Sequence, residues 1–189
     1  LEGGFVTDNV YGGDGNDTLR VLAGEFYDNS YGGAGADTLD HSASAYGGST
    51  FDFELGTITG PSINGASAAL EGIETYLDGS GSNTIISSGT SGTYYGGGGD
   101  DLMIAESGGE FMYGGAGGVD TIDLSRWNGT YVVNMNDGSS NYGSELYLEF
   151  ENLISGNGSD TITGTGGDNT ISTGGGADTV NAGDGADTV

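Results

Sequence analysis

Gly32-Gly33-Ala34-Gly35-Ala36-Asp37-Thr38-Leu39-Asp40 decides how this chain folds, because the same nine-residue pattern returns in phase along it. Written Gly-Gly-x-Gly-x-Asp-x-U-x, with U aliphatic, the pattern is matched by residues 12–20, 32–40 and 96–104, the last with Met103 at U. Units starting at Asp78, Ser87, Gly96, Ala105 and Gly114 run consecutively, and the last carries one extra residue before Asp120. Units starting at Ser155, Gly164, Thr173 and Ala182 put Ile162, Ile171, Val180 and Val189 at U. Near the start, Gly3 and Gly12 open one pair and Ala23 and Gly32 the next; Val21 and Leu22 intervene, so the local period is twenty.

Each half of the unit has its own physics. The Gly-x-Gly half asks for positive φ and close backbone approach, which glycine permits at little steric cost. The x-U-x half, such as Thr161-Ile162-Thr163, reads as a three-residue strand with one aliphatic residue inward and two neighbours outward. Two units make one coil, and stacked coils pair their strands in parallel. A lone unit cannot bury its aliphatic residue, so only the stack gives a core. The expected fold class is all-β, a parallel solenoid of nonapeptide repeats.

Composition narrows the partners. The 189 residues include 42 Gly, 1 Pro and no Cys, so collagen, a disulfide framework and a thiolate metal site are excluded. Formal net charge is −26, and Arg20 and Arg126 are the only Lys or Arg residues. Nucleic acid is excluded because nothing could neutralise its phosphates. Anionic membranes are disfavoured for the same reason, and no stretch approaches the ~18 apolar residues of a membrane span. Twenty-eight carboxylates need counter-charge from solution, and a hard divalent cation with oxygen ligands suits them. No signal peptide is visible, and the chain reads as a fragment of something longer.

The repeat places acidic residues of successive coils one above another at roughly the ~4.8 Å strand spacing. Asn83 falls over Asp101, Asp101 near Asp120, Asp160 over Asp178, Asn169 over Asp187, and Asp17 over Asp37. Two bare carboxylates at that spacing repel by about 1 kcal/mol in water and about 3–4 kcal/mol at an effective dielectric near 20. A cation between turns reverses that sign, and carbonyls of the glycine loops can complete its six- to eight-oxygen shell.

The pattern resembles the repeats-in-toxin, or haemolysin-type calcium-binding, family over residues 3–40, 78–123 and 155–189. The resemblance implies a right-handed β-roll with several Ca²⁺ ions, each between one turn and the turn two repeats later. Carried over residue by residue, the motif aspartates are Asp17, Asp37, Asp101, Asp120, Asp160, Asp178 and Asp187. Asn83 and Asn169 stand where Asp is expected, and the extra residue before Asp120 breaks the spacing there. The accompanying glycines are Gly13, Gly15, Gly33, Gly35, Gly97, Gly99, Gly115, Gly156, Gly158, Gly174 and Gly176. The resemblance also implies unfolded export by type I secretion and folding in extracellular calcium. It places the chain outside the cell, or on the surface, of a Gram-negative bacterium.

Alternate units are degenerate: residues 3–11, 23–31, 87–95 and 105–113 each end in Tyr, at Tyr11, Tyr31, Tyr95 and Tyr113. One side of the roll in the first two blocks is therefore expected to take calcium, with Asp8, Asp28 and Glu110 at the acidic position of the weaker side. The tyrosines are expected to form short ladders on one sheet face, through cross-strand packing or as a platform for carbohydrate or protein. Five segments of one continuous solenoid follow: block 1 (1–40), insert 1 (41–77), block 2 (78–123), insert 2 (124–154) and block 3 (155–189). Residues 51–55 and 57–59 read as a hairpin; so do 131–135 and 145–150 after the turn Asn136-Asp137-Gly138. Both inserts open and close with similar words, which points to a duplicated superunit whose inserts widen or cap the roll.

Signals for catalysis are sparse. His41 is the only histidine, Leu124 stands at its place in the second superunit, and there is no Gly-x-Ser-x-Gly elbow, Cys or Lys. The leading expectation is a non-enzymatic, calcium-dependent folding module. Two alternatives stay open: a structural or adhesive extender that self-associates, and an accessory domain of a secreted hydrolase, toxin or polysaccharide-modifying enzyme.

Overall fold

A computed structural model describes residues 8–25, 27–61, 67–106 and 108–189 of the protein. The Gly3–Thr7 part of the first degenerate unit lies outside the described residues. The described residues form twenty strands in two ten-stranded sheets, with no helix.

Sheet 1 has the order β1 (Asn9–Asp14), β3 (Asn29–Ala34), β7 (Ala68–Glu71), β6 (Thr57–Thr59), β5 (Thr50–Asp52), β9 (Thr84–Ile86), β11 (Leu102–Ile104), β13 (Thr121–Asp123), β17 (Asn152–Ile154) and β19 (Thr170–Ser172). Sheet 2 has the order β2 (Thr18–Arg20), β4 (Thr38–Asp40), β8 (Thr75–Leu77), β10 (Thr93–Tyr95), β12 (Phe111–Tyr113), β16 (Leu146–Leu148), β15 (Ser139–Ser140), β14 (Val132–Asn134), β18 (Thr161–Thr163) and β20 (Thr179–Asn181). Outside the inserts, every pairing is parallel and joins a strand to the one two units later, as in Leu102↔Thr84 and Thr161↔Thr179. This is a parallel β-roll.

The middle residue of the three-residue strands builds the core. Leu19, Leu39, Ile85, Met103, Ile122, Leu153 and Ile162 are buried, and their strand neighbours are mostly less so. Burial weakens at the two ends, where Val10 and Val180 are only partly covered. Each aliphatic residue is roofed by the coil on either side, so a coil with one neighbour covers less.

The inserts lie inside the stack and do not cap it. Residues 50–71 add an antiparallel meander, β5, β6 and β7, between β3 and β9 of sheet 1, while sheet 2 gains only β8 at that level. Residues 132–148 add the corresponding meander to sheet 2, where sheet 1 gains only β17. The partner of β14 is β15, not the 145–150 segment expected from the sequence; β16 pairs with β15 instead. Each meander lengthens one sheet by two strands, about 10 Å at ordinary spacing. Because they fall on opposite sheets, the sheets finish with equal numbers of strands.

Insert 1 also changes which edge carries the motif. Turns from sheet 1 to sheet 2 form edge A, and turns from sheet 2 to sheet 1 form edge B. The block 1 turns at 12–17 and 32–37 lie on edge A, whereas the block 2 turns at 78–83, 96–101 and 114–120 lie on edge B. The expectation of one calcium side through both blocks is therefore corrected. Insert 1 leaves through edge A by a well-formed turn at 72–74 and is followed at once by another at 78–83, so the alternation slips by one turn. The tyrosines follow: Tyr11 stacks on Tyr31 in sheet 1 and Tyr95 on Tyr113 in sheet 2, at 4.8 and 4.6 Å. They make two separate pairs on opposite sheets, not ladders on one face.

Candidate metal centre: the carboxylate ladders of the turns

The acidic residue of each motif turn sits directly beneath the turn of the preceding coil. Its Oδ1 accepts the backbone N–H of the residue at the same position one coil earlier. Asp37 accepts from Asp17, Asp101 from Asn83, Asp120 from Asp101, Asp178 from Asp160 and Asp187 from Asn169, all at 2.7–2.9 Å. These contacts bring together the pairs expected from the repeat. Asp120 keeps its register despite the extra residue, because the surplus bulges outward and leaves Val119 51% exposed.

Glycine is needed at these turns for two distinct reasons. Gly33 has φ 109°, and a Cβ there would collide with the carbonyl oxygen of Gly13 one coil earlier. Gly158 lacks the left-handed φ expected of it, as does Gly156, yet a Cβ on Gly158 would strike the carbonyl of Gly129. Close approach alone demands glycine there. The stacking holds glycine carbonyls against the next turn, where they are available as oxygen ligands.

The other carboxylate oxygen is the telling one. Oδ2 of Asp17, Asp37 and Asp101 is buried with no hydrogen-bond partner. Asp37 and Asp101 are 0% and 2% exposed. An unpaired buried carboxylate oxygen carries a large desolvation penalty unless a cation meets it. In the ion-free molecule burial pushes the Asp101 carboxyl up to about 8, reinforced by Asp78, Asp120 and Asp100. Burial likewise takes Asp78 to about 6, and Asp120 to about 6 with help from Glu151, Asp100 and Glu149. Among the described residues, no three His, Cys, Asp or Glu side chains cluster closely enough to hold an ion alone. An ion held there would need main-chain oxygens for the rest of its shell, and carbonyls of the glycine turns lie against the next coil. The residues fit calcium, whose shell takes carboxylates and carbonyls in irregular geometry.

Other positions satisfy themselves differently. Asn83 is buried; its Nδ2 donates to Asp78 Oδ2 at 2.8 Å, Gly81 O at 2.9 Å and Tyr46 O at 3.2 Å. Asn169 Nδ2 donates to Glu151 O and Thr165 Oγ1 at 2.8 and 2.9 Å. An amide group thus stands among oxygens that would otherwise face a cation. At Asp160, Oδ2 accepts from Ser155 Oγ at 2.6 Å. On the weaker edges Asp28 accepts the N–H of Asp8 at 2.8 Å, while Glu110 is fully buried, accepts from Ser87 Oγ at 3.1 Å and, like the three aspartates above, leaves its other oxygen, Oε2, buried with no partner.

Sequence reading missed Glu74 and Glu151. Their Oε2 atoms accept the N–H of Asp37 and Asp120, each at 2.8 Å, so both stand at the motif position where the chain leaves an insert. The signal was present in the strand that follows, Thr75-Tyr76-Leu77 or Asn152-Leu153-Ile154, which has the x-U-x form. His41 is a core residue: fully buried, stacked on Tyr27 at 4.6 Å, and held neutral because burial depresses its pKa to about 3. Leu124, its counterpart, is equally buried.

A β-roll whose turns stack carboxylates over glycine carbonyls is a calcium-binding architecture. The RTX calcium-binding nonapeptide repeat matches the chain in four copies, at residues 2–25, 28–43, 86–119 and 154–189, more than half of its length. The chain belongs to this family. Repeats of this kind are typical of proteins secreted by Gram-negative bacteria. A comparison with curated proteins gives no match.

Proposed function

We propose that this chain is a non-enzymatic module that folds when calcium enters its turns outside the cell. The carrying observation is the set of buried, unpartnered Oδ2 atoms on Asp17, Asp37 and Asp101, with the Oδ1 atoms of Asp37 and Asp101 already accepting backbone N–H groups. Bound calcium supplies the positive charge that lets stacked carboxylates remain ionised. Asp17 and Asp37 on edge A, Asp101 and Asp120 on edge B, and Asp160, Asp178 and Asp187 in block 3 are the carboxylate ligands of this reading. Carbonyls of Gly13, Gly15, Gly33, Gly35, Gly97, Gly99, Gly115, Gly156, Gly158, Gly174 and Gly176 supply further oxygen. Asn83 and Asn169 become ligands only if their amides turn over, because each Oδ1 now accepts a backbone N–H.

At the low calcium of a cytosol, sites of the roughly 10⁻⁴–10⁻³ M class stay empty and a net charge of −26 keeps the chain open, a state suited to type I export. At tenfold excess over Kd each site adds about 1.4 kcal/mol, and several act together. Circular dichroism and small-angle scattering test this directly. An expanded chain in chelator should become a compact β-structure in millimolar calcium; identical spectra and radii in both conditions would refute the reading.

A further inference from the structure

We propose that Glu74 and Glu151 are calcium ligands that close each column of sites where it meets an insert; this rests on the calcium reading above. Neither residue belongs to the nonapeptide, and both lie outside the matched repeats. The two inserts reach the same arrangement from different sequences. At the first exit Glu74 Oε2 accepts the Asp37 N–H at 2.8 Å, as Asp37 Oδ1 accepts that of Asp17. At the second, Glu151 Oε2 accepts the Asp120 N–H at 2.8 Å, as Asp120 Oδ1 accepts that of Asp101. The main chain follows the same register: a Cβ on Gly32 would strike the carbonyl of Gly72, and one on Gly114 would strike that of Glu149. Gly72 and Glu149 are in equivalent left-handed conformations, φ 63° and 64°, and Glu149 is the only described non-glycine residue with positive φ. A second, independent sign comes from the facing side chain: Asp37 is fully buried and its Oδ2 has no partner.

The exits differ from motif turns in length, and that explains the residue type. Four residues separate Gly32 from Asp37, but only Ile73 separates Gly72 from Glu74, and only Phe150 separates Glu149 from Glu151. On so short a turn the extra methylene of glutamate lets the carboxylate reach the place an aspartate reaches from a longer one. The shorter turn also lacks the middle carbonyls, so its ion keeps more water and binds more weakly than the others. The ladder stops there. The N–H groups of Glu74 and Thr75 both donate back to Asp37 O, at 3.1 and 3.0 Å, and those of Glu151 and Asn152 to Asp120 O, at 3.2 and 2.9 Å.

The test counts ions on the whole chain by native mass spectrometry in a CaCl₂ titration, reading only the compact charge states. Glu74→Gln and Glu151→Gln keep an oxygen for the N–H and remove the charge; Glu71→Gln and Asp137→Asn, at exposed side chains of the two inserts, are controls. Each of the first pair should bind one ion fewer than the parent and lose the weakest binding step, and the double variant two fewer. The controls should match the parent. Equal ion counts in Glu74→Gln, Glu151→Gln and the parent would overturn the proposal. So would a variant with no compact population at saturating calcium, since loss of an end site removes one ion and leaves the column. A parent chain that binds no calcium would instead overturn the underlying calcium reading.

Discussion

The turns at 87–92 and 96–101 follow one another in the chain and close opposite edges of the same coil. At 96–101, Asp101 lies between Asn83 and Asp120, one carboxylate oxygen taken by a backbone N–H and the other buried with nothing to meet it. At 87–92, the Tyr94 side chain, fully buried at the U position, reaches back so that its hydroxyl accepts the Ser88 N–H and meets Ser88 Oγ, each at 3.2 Å. Ser87 Oγ donates to Glu110 and accepts the Glu106 N–H at 2.8 Å. The 87–92 turn carries only neutral side chains of its own, though Glu110 in the turn stacked on it also keeps one oxygen buried and unpartnered. Two units of one repeat thus close a single coil in different ways: one turn through side-chain hydroxyls, the other with a buried carboxylate of its own.

The sharpest way to break this comparison is to alter each turn in turn. Asp101→Asn should remove the site shared with Asp120, so that one ion fewer binds at saturating calcium and the fold loses about 1.4 kcal/mol at tenfold calcium excess. Ser87→Ala, on the same coil, should cost about 1–3 kcal/mol yet leave the number of ions bound at saturating calcium unchanged, as read by native mass spectrometry. Equal ion counts in the two variants would remove the distinction.

Acidity gives the next effect. In chelator the folded roll binds protons more tightly than the unfolded chain, because Asp101, Asp78 and Asp120 lie near 8, 6 and 6 instead of 3.8. Raised carboxyl pKa values stabilise the ion-free fold below about pH 4 and lose that contribution as pH rises from 4 to 8. In chelator the chain should therefore hold more β-structure at pH 4.5 than at pH 8, where it is expanded, and millimolar calcium should restore the fold at pH 8. A β-structure content that rises with pH in chelator would contradict this assignment.

Asn83→Asp probes the same edge more gently. It replaces an amide that now donates to three oxygens with a second carboxylate facing Asp78 and Asp101. In calcium the variant should take up one additional ion, counted by equilibrium dialysis. The smallest effect is expected at the exposed pairs: Tyr95→Leu breaks the stack with Tyr113 and should cost about 0.5–1.5 kcal/mol with the ion count unchanged.

Much of this architecture was legible because the repeat couples conformation to composition. Ile85, Met103, Ile122, Ile162 and Ile171 are where the period puts them, and the pairs Asp17–Asp37, Asn83–Asp101, Asp101–Asp120 and Asp160–Asp178 stack as the spacing requires. The inserts obeyed no such period. Their alternation shows a hairpin, yet whether a meander joins sheet 1 or sheet 2 depends on which strand edge is free when the chain arrives. That choice moved the motif from edge A to edge B and split the tyrosines between sheets. Glu74 and Glu151 escaped notice because a three-residue turn hides the offset by which a motif aspartate is recognised.

By itself the sequence determined the stack: a nine-residue period of glycine turns and single inward aliphatic residues can bury its apolar groups only by coiling in register, and its acidic position must then recur one strand spacing apart. Tertiary structure alone decided which edge each turn occupies and which residues close a column. Those outcomes depend on how the inserts pair their strands across the roll, a long-range matter that no local word in the chain encodes.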